Sequence, residues 1–151
     1  MEGIRALSTG TKLVLATGPL LFFSLFFTWQ TPEIDYGPAG RAEVLLDGWD
    51  FWGLLIGLVA LALVTLVALA ELTEVEMSPD VPWDLLNLAL GVVVFVLAGV
   101  KNLTDADSAW ASYVGVLLAA FVALGVYERW AEAFDRPSLL GRFRRGVSST
   151  A

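Results

Sequence analysis

Four apolar blocks, Leu13–Trp29, Phe51–Ala70, Leu85–Val100 and Trp110–Tyr127, contain no Asp, Glu, Lys or Arg. Wound as helices, about 16 to 20 residues at 1.5 Å each reach about 24 to 30 Å, close to the hydrocarbon thickness of a bilayer. Lipid cannot satisfy the N–H and C=O groups of irregular backbone, so a block of this kind crosses as a helix. The expected fold class is therefore all-α, a four-helix transmembrane bundle over residues 1–136. Its spans are expected at about 13–30, 51–71, 84–101 and 110–128, followed by a basic cytoplasmic tail over 137–151. The apolar content of 57% exceeds the half or so usual in soluble domains, but the collection of those residues into blocks carries the argument. Lys12–Gln30 is not expected to be a cleaved signal peptide. Its charged region is weak, its apolar run is too long, and no Ala-x-Ala site follows Phe27.

The longest polar interruption, Thr28 to Gly53, carries Glu33, Asp35, Glu43, Asp47 and Asp50 between Trp29 at one end and Trp49 and Trp52 at the other. Four spans place both chain ends on one side. Those ends hold Arg5, Lys12, Arg129, Arg136, Arg142, Arg144 and Arg145, whereas the two opposite loops hold only Arg41 and Lys101. By the positive-inside rule the N- and C-termini are cytoplasmic and Thr28–Gly53 faces outward, in the cell membrane. The basic tail, with Leu139, Leu140 and Phe143 among its arginines, suits contact with an anionic lipid face.

Within this frame Ser8 or Thr9 is the candidate N-cap of the first helix, and Pro19 predicts a kink. Ile34 and Tyr36 alternate with acids ahead of Gly37-Pro38-Ala39-Gly40, which allows a small β-hairpin in the loop; an irregular loop of about 20 residues is the other outcome. Asp47 is expected to cap the second helix, with Asp50 in its first turn. Gly53 and Gly57 form a Gly-xxx-Gly pair, and Ala111, Gly115, Ala119 and Ala123 lay a small-residue stripe on the fourth helix, a pattern suited to close helix packing. Asn87 is expected to bond across helices. Trp83 and Lys101 are expected at the two interfaces, and Asp105, Asp107 or Ser108 as the cap of the fourth helix. Trp29, Trp49, Trp52 and Trp110 fit an outer aromatic belt. Outer-loop contacts to a partner are expected from Trp29, Asp35, Tyr36, Trp49 and Trp52.

The chain has no Cys and no His, which removes thiolate chemistry and imidazole ligation from consideration. Its formal net charge of −7 argues against nucleic acid as a partner. No catalytic or nucleotide-binding motif is present, and the absence of ionisable groups in the spans disfavours an ion-coupled carrier. The outer carboxylates lack the spacing of a calcium loop and are expected to serve as caps and solvated charges. No metal and no cofactor is expected. The functional expectation is a non-enzymatic integral membrane protein, a scaffold, accessory subunit or homo-oligomer. It would act through helix packing and its outer loop, with membrane lipids and a second copy or another membrane protein as partners. The alternative is a pore or carrier for a small neutral or weakly charged solute, hinged at Pro19.

The run Ser24-Leu25-Phe26-Phe27-Thr28-Trp29-Gln30, followed by Gly48-Trp49-Asp50-Phe51-Trp52-Gly53, resembles small four-span membrane proteins of high-GC, actinobacterial-type bacteria. Those show a Ser-Leu-Phe-x-Pro-Trp exit and a Trp-Asp-x-Phe re-entry, and Thr28 stands here in place of the Pro. The likeness covers the first third of the chain by motif and the remainder by hydropathy. It implies topology and supplies no activity.

Overall fold

Helix α1 (Thr9–Ser24) begins where the Ser8 hydroxyl accepts the Thr11 N–H at 3.1 Å, and it runs through Pro19 without a break. Residues 7–73, 75, 78–105 and 107–134 of the computed structural model are described; the basic tail expected from Pro137 lies outside them. The remaining helices are α2 (Phe51–Leu72), α3 (Trp83–Thr104) and α4 (Trp110–Ala133). These three are long and apolar enough to cross a membrane. At 16 residues, α1 is shorter and reaches only about 24 Å.

Each helix packs against two others, α1 on α2 and α4, and α3 on α2 and α4. The interior is filled in tiers. Val14, Leu63, Val67, Val122 and Val126 form one, Leu21, Ile56, Ala60, Val94, Ala98 and Ala119 the next, and Leu25, Trp29 and Ala111 a third. Large apolar side chains also point away from the bundle, Leu20, Phe23, Leu54, Leu58, Val96 and Leu117 among them. A helix that is apolar all round needs apolar surroundings on its outer side as well.

In such surroundings helices are held together by close packing more than by expulsion of water. The backbones of α1 and α4 meet directly. A Cβ on Gly10 would lie 2.5 Å from the Gly125 carbonyl oxygen, and one on Gly125 would lie 3.0 Å from the Gly10 oxygen. Only glycine at both positions permits that approach. Beside it, Arg129 donates to Thr11 Oγ1 at 2.8 Å and pairs with Glu71 at 2.7 Å, which ties α4 to α1 and α2. Inside the helices, Thr17 and Ser24 donate to the Leu13 and Leu21 carbonyls. Asn87 is buried, and its Oδ1 has no hydrogen-bond partner, so the cross-helix bond expected of that oxygen is not formed.

The loop between α1 and α2 is a ribbon of antiparallel strands. β1 (Thr28–Gln30) pairs with β4 (Leu46–Asp47), and β2 (Glu33–Asp35) pairs with β3 (Arg41–Glu43) in the register Glu33↔Glu43, Ile34↔Ala42, Asp35↔Arg41. The Val44 N–H reaches the Pro32 carbonyl at 3.0 Å and carries the ribbon across the gap between the two ladders. Tyr36 to Gly40 closes the tip through a 3₁₀ turn at Gly37–Ala39, with Gly37 and Gly40 at φ +65° and +95°, a region that glycine enters without steric cost. The hairpin is thus present, and the irregular loop is not.

Several boundaries differ from the sequence reading. The first helix ends at Ser24, ahead of the expected Trp29, because Leu25–Phe27 turn and Trp29 enters β1. Asp50, not Asp47, is the N-cap of α2: its Oδ1 accepts the Gly53 N–H at 2.8 Å, while Asp47 Oδ1 accepts the Trp49 N–H within the turn before. α3 extends over 22 residues instead of ending at Val100. No side chain caps α4 at Ala109, since Ser108 Oγ donates to the Asn102 carbonyl and Asp105 pairs with Lys101.

Candidate functional site

Lys101 sits in the last turn of α3 and is completely buried. A lone ammonium in such a position is very costly, so its partners define the site. Nζ lies 2.5 Å from Asp50 Oδ2 and 3.0 Å from Asp105 Oδ2. It also sits 5.5 Å from the centroid of the Trp29 ring, within the range of a cation–π attraction. Asp105 follows Lys101 by four residues, the spacing at which helical side chains meet. Asp50 arrives from the other side of the bundle. Its Oδ1 caps α2, and its Oδ2 accepts from Lys101 and, at 3.3 Å, from Gln30 Nε2 on β1. One carboxylate therefore joins the start of α2, the end of α3 and the ribbon.

Trp29 is the second joint. Its indole N–H donates to the Ser24 carbonyl at 2.8 Å, and its ring lies over Gly115 of α4. A Cβ at Gly115 would come within 2.3 Å of Trp29 Cζ2. The neighbouring loop adds a third edge to the ribbon. Gln30 and Ser108 form an antiparallel bridge, the Thr31 N–H reaches the Asp107 carbonyl at 3.0 Å, and the Ala109 N–H reaches the Trp29 carbonyl at 2.7 Å. Beneath it Asn102 Nδ2 donates to Ser112 Oγ at 2.6 Å. The α1–α2 and α3–α4 loops form one pinned lid.

The lid has a fixed base and an exposed tip. Every residue of β2 and β3 is exposed, as is Tyr36 between them. Arg41 spans Glu33 at 3.5 Å and Asp35 at 3.4 Å; exposed pairs of this kind contribute at most about 1 kcal/mol. Asp35 Oδ1 also accepts the Gly37 N–H at 2.8 Å and shapes the turn.

The residues expected to meet a partner fall into separate groups. Asp35 and Tyr36 are at the exposed tip. Trp29 is buried, neither on the outer surface nor in an aromatic belt, because the turn after Ser24 folds it inward onto Gly115. Trp49 is half-buried, packed edge-on against Phe22 and Phe26 at centroid distances of 5.4 and 5.0 Å. Trp52 is half-buried and packs edge-on against Phe51. The exposed aromatics at this end are Phe26, Phe27, Phe51, Trp110 and Tyr113.

The packing residues also have partners within the chain. Gly53 meets the Gly48 carbonyl, Gly57 meets Trp49 and Leu25, and Gly115 meets Trp29. Ala111 and Ala119 are buried in the core, while Ala123 is only partly covered. Pro19 faces a shallow apolar hollow between α1 and α2 that Gly18, Ala60 and Val64 also line.

The sequence reading places Lys101 only at a membrane interface and gives Gly10 and Gly125 no role. For Lys101 a signal was present: the Lys101/Asp105 spacing at the end of an apolar block. For the glycines there was none beyond their type. Chemically, the Lys101 cluster is an ion group of one ammonium and two carboxylates. Among the described residues no group of three or more His, Cys, Asp or Glu is placed to hold a metal ion. Comparison with protein-family models, curated proteins and solved structures finds no match.

Proposed function

We propose that this chain is a four-span integral protein of the cell membrane, with both termini in the cytoplasm. In this reading it performs no catalysis and serves as a scaffold or accessory subunit that presents its outer ribbon to a partner. The observation that carries the reading is the contrast within the lid. Its base is fixed by the buried Lys101–Asp50–Asp105 cluster and by Trp29, while the Glu33–Glu43 tip stands exposed. A two-stranded ribbon is marginal alone; fixed at its base, it offers a pre-shaped surface that loses little entropy on binding. Paired strands with free edges also suit recognition by strand addition. The packed apolar interior favours this role over the pore or carrier, because Leu21, Ile56, Leu63, Val94 and Val122 fill the space between the helices. Lateral assembly through the small-residue stripe is less favoured, since Ala111, Gly115 and Ala119 are covered by the chain itself.

The cysteine-free sequence makes a direct test simple. Single Ala39→Cys and Asp80→Cys variants in intact cells are treated with a membrane-impermeant maleimide. Ala39→Cys is expected to label before lysis and Asp80→Cys only after it; the reverse pattern, or equal labelling, sinks the orientation. A photo-crosslinking residue at Tyr36 is then expected to give a discrete protein adduct that the same residue at lid-base position Asp47 does not give. Failure of adducts at every tip position would remove the partner-binding role while leaving the topology standing.

A further inference from the structure

On the side of the α1/α4 seam that faces away from the bundle interior, Thr9, Lys12, Leu13 and Ala16 face Phe121 and Leu124 across an apolar groove of about 310 Å³. Its origin is local. The Gly10–Gly125 contact draws the two backbones together behind it, and the short side chains of Thr9 and Ala16 leave one wall low. Leu13, Phe121 and Leu124 give the remainder a hydrocarbon lining, and an ammonium stands at the end nearest the start of α1.

Resting on the four-span reading above, we propose that this groove holds one acyl chain of an anionic phospholipid of the cytoplasmic leaflet, with the lipid phosphate on Lys12. The groove lies along the membrane-facing side of two adjacent helices, where an extended chain can lie against Ala16 and Phe121. Lys12 is exposed at its mouth, at the level where phosphates occur in that topology. An ammonium carries three donors, so a phosphate can be held alongside any protein partner of Lys12. Arg129, the neighbouring cation, is already committed to Glu71 and Thr11. Charge at the mouth favours an anionic headgroup, because the exposed side chain there is the Lys12 ammonium and the cytoplasmic leaflet is anionic.

The test uses the full chain in nanodiscs of phosphatidylglycerol and phosphatidylcholine, released into a mild neutral detergent for native mass spectrometry. Wild type is expected to retain one phosphatidylglycerol in preference to phosphatidylcholine. Lys12→Gln is expected to reduce that preference roughly fivefold, the effect of one cation at an anionic surface. Ala16→Phe is expected to fill the groove and remove retention of both lipids. Both positions are exposed, and unchanged unfolding midpoints confirm that the variants fold. Equal retention of the two lipids by wild type, or an unaltered preference in Lys12→Gln, overturns the proposal. A dimer lost in Ala16→Phe with lipid retention intact assigns the groove to a second copy and equally overturns it. Failure of the four-span reading shows itself separately, in the maleimide pattern.

Discussion

Lys101→Met is expected to destabilise the protein by about 3 kcal/mol, read from unfolding in mild detergent by tryptophan emission. Removing one partner of a buried ion pair costs about 3–5 kcal/mol, because the charge left behind has lost both water and its counter-ion. The lower end applies because the Asp50 side chain is 38% exposed, although that of Asp105 is only 5% exposed. Two companion variants separate the causes. Lys101→Met with Asp105→Leu removes the stranded carboxylate and is expected to recover more than half of the loss, since apolar replacement of a buried pair is often neutral. Asp50→Asn keeps an N-cap acceptor, so its effect reports the charge and not the cap. Raised salt is not expected to reproduce the Lys101 defect, because buried pairs are poorly screened. A Lys101→Met protein within about 0.5 kcal/mol of wild type would show that the cluster does not hold the lid.

The second large effect is expected at Gly115. Even Gly115→Ala places a methyl 2.3 Å from Trp29 Cζ2 and 2.4 Å from Cη2, and the indole cannot simply retreat. It is tied by its N–H to Ser24 and by its backbone carbonyl to Ala109. Overpacking of this kind costs about 1–3 kcal/mol, and Gly115→Leu is expected at or above the upper end. The sign of displacement is a red shift of emission as Trp29 leaves its buried seat. Trp29→Leu shortens the side chain, and in that background Gly115→Ala is expected to be nearly neutral. The non-additivity is then about 1–3 kcal/mol, the size expected for residues in contact. Additive losses would mean that the two side chains do not share the notch. A changed oligomeric state with unchanged emission would instead point to a lateral interface on α4.

These two positions also show how far the sequence could be read. The four helices and the hairpin were legible because apolar blocks and a Gly/Pro tip are local signals. Gly115 was legible as a small residue on a packing face, but the object it accommodates is an indole from the ribbon, 86 positions earlier, and helix spacing carries no information about it. Lys101 was expected at the interface because hydropathy sees a charge at the end of an apolar run. Its burial depends on Asp50 and on the lid, which are defined only once the chain has folded back. The Asp47/Asp50 exchange has a different cause. Both are good caps three residues apart, and the choice is made by β4, which keeps Asp47 extended. At the candidate site, the exposed tip residues Asp35 and Tyr36 were identifiable from their place beside a turn. The joints beneath them were not, because each is built from two or more distant segments.

The bridge between Gln30 and Ser108, with Thr31 bonded to Asp107 76 positions away, sets an order of events during synthesis. Chains emerge and fold from the N-terminus. In the four-span topology, α1, the ribbon and α2 are therefore delivered first, with Asp50 still bare on the far side of the membrane. In that proposed topology Lys101 then crosses at the tip of the α3–α4 hairpin together with its neighbour Asp105, a costly step for charged side chains. The waiting Asp50 carboxylate then completes the ion group that Lys101 and Asp105 bring with them. Only afterwards can the Asp107–Ala109 segment dock and the lid close, so closure marks a fully inserted chain.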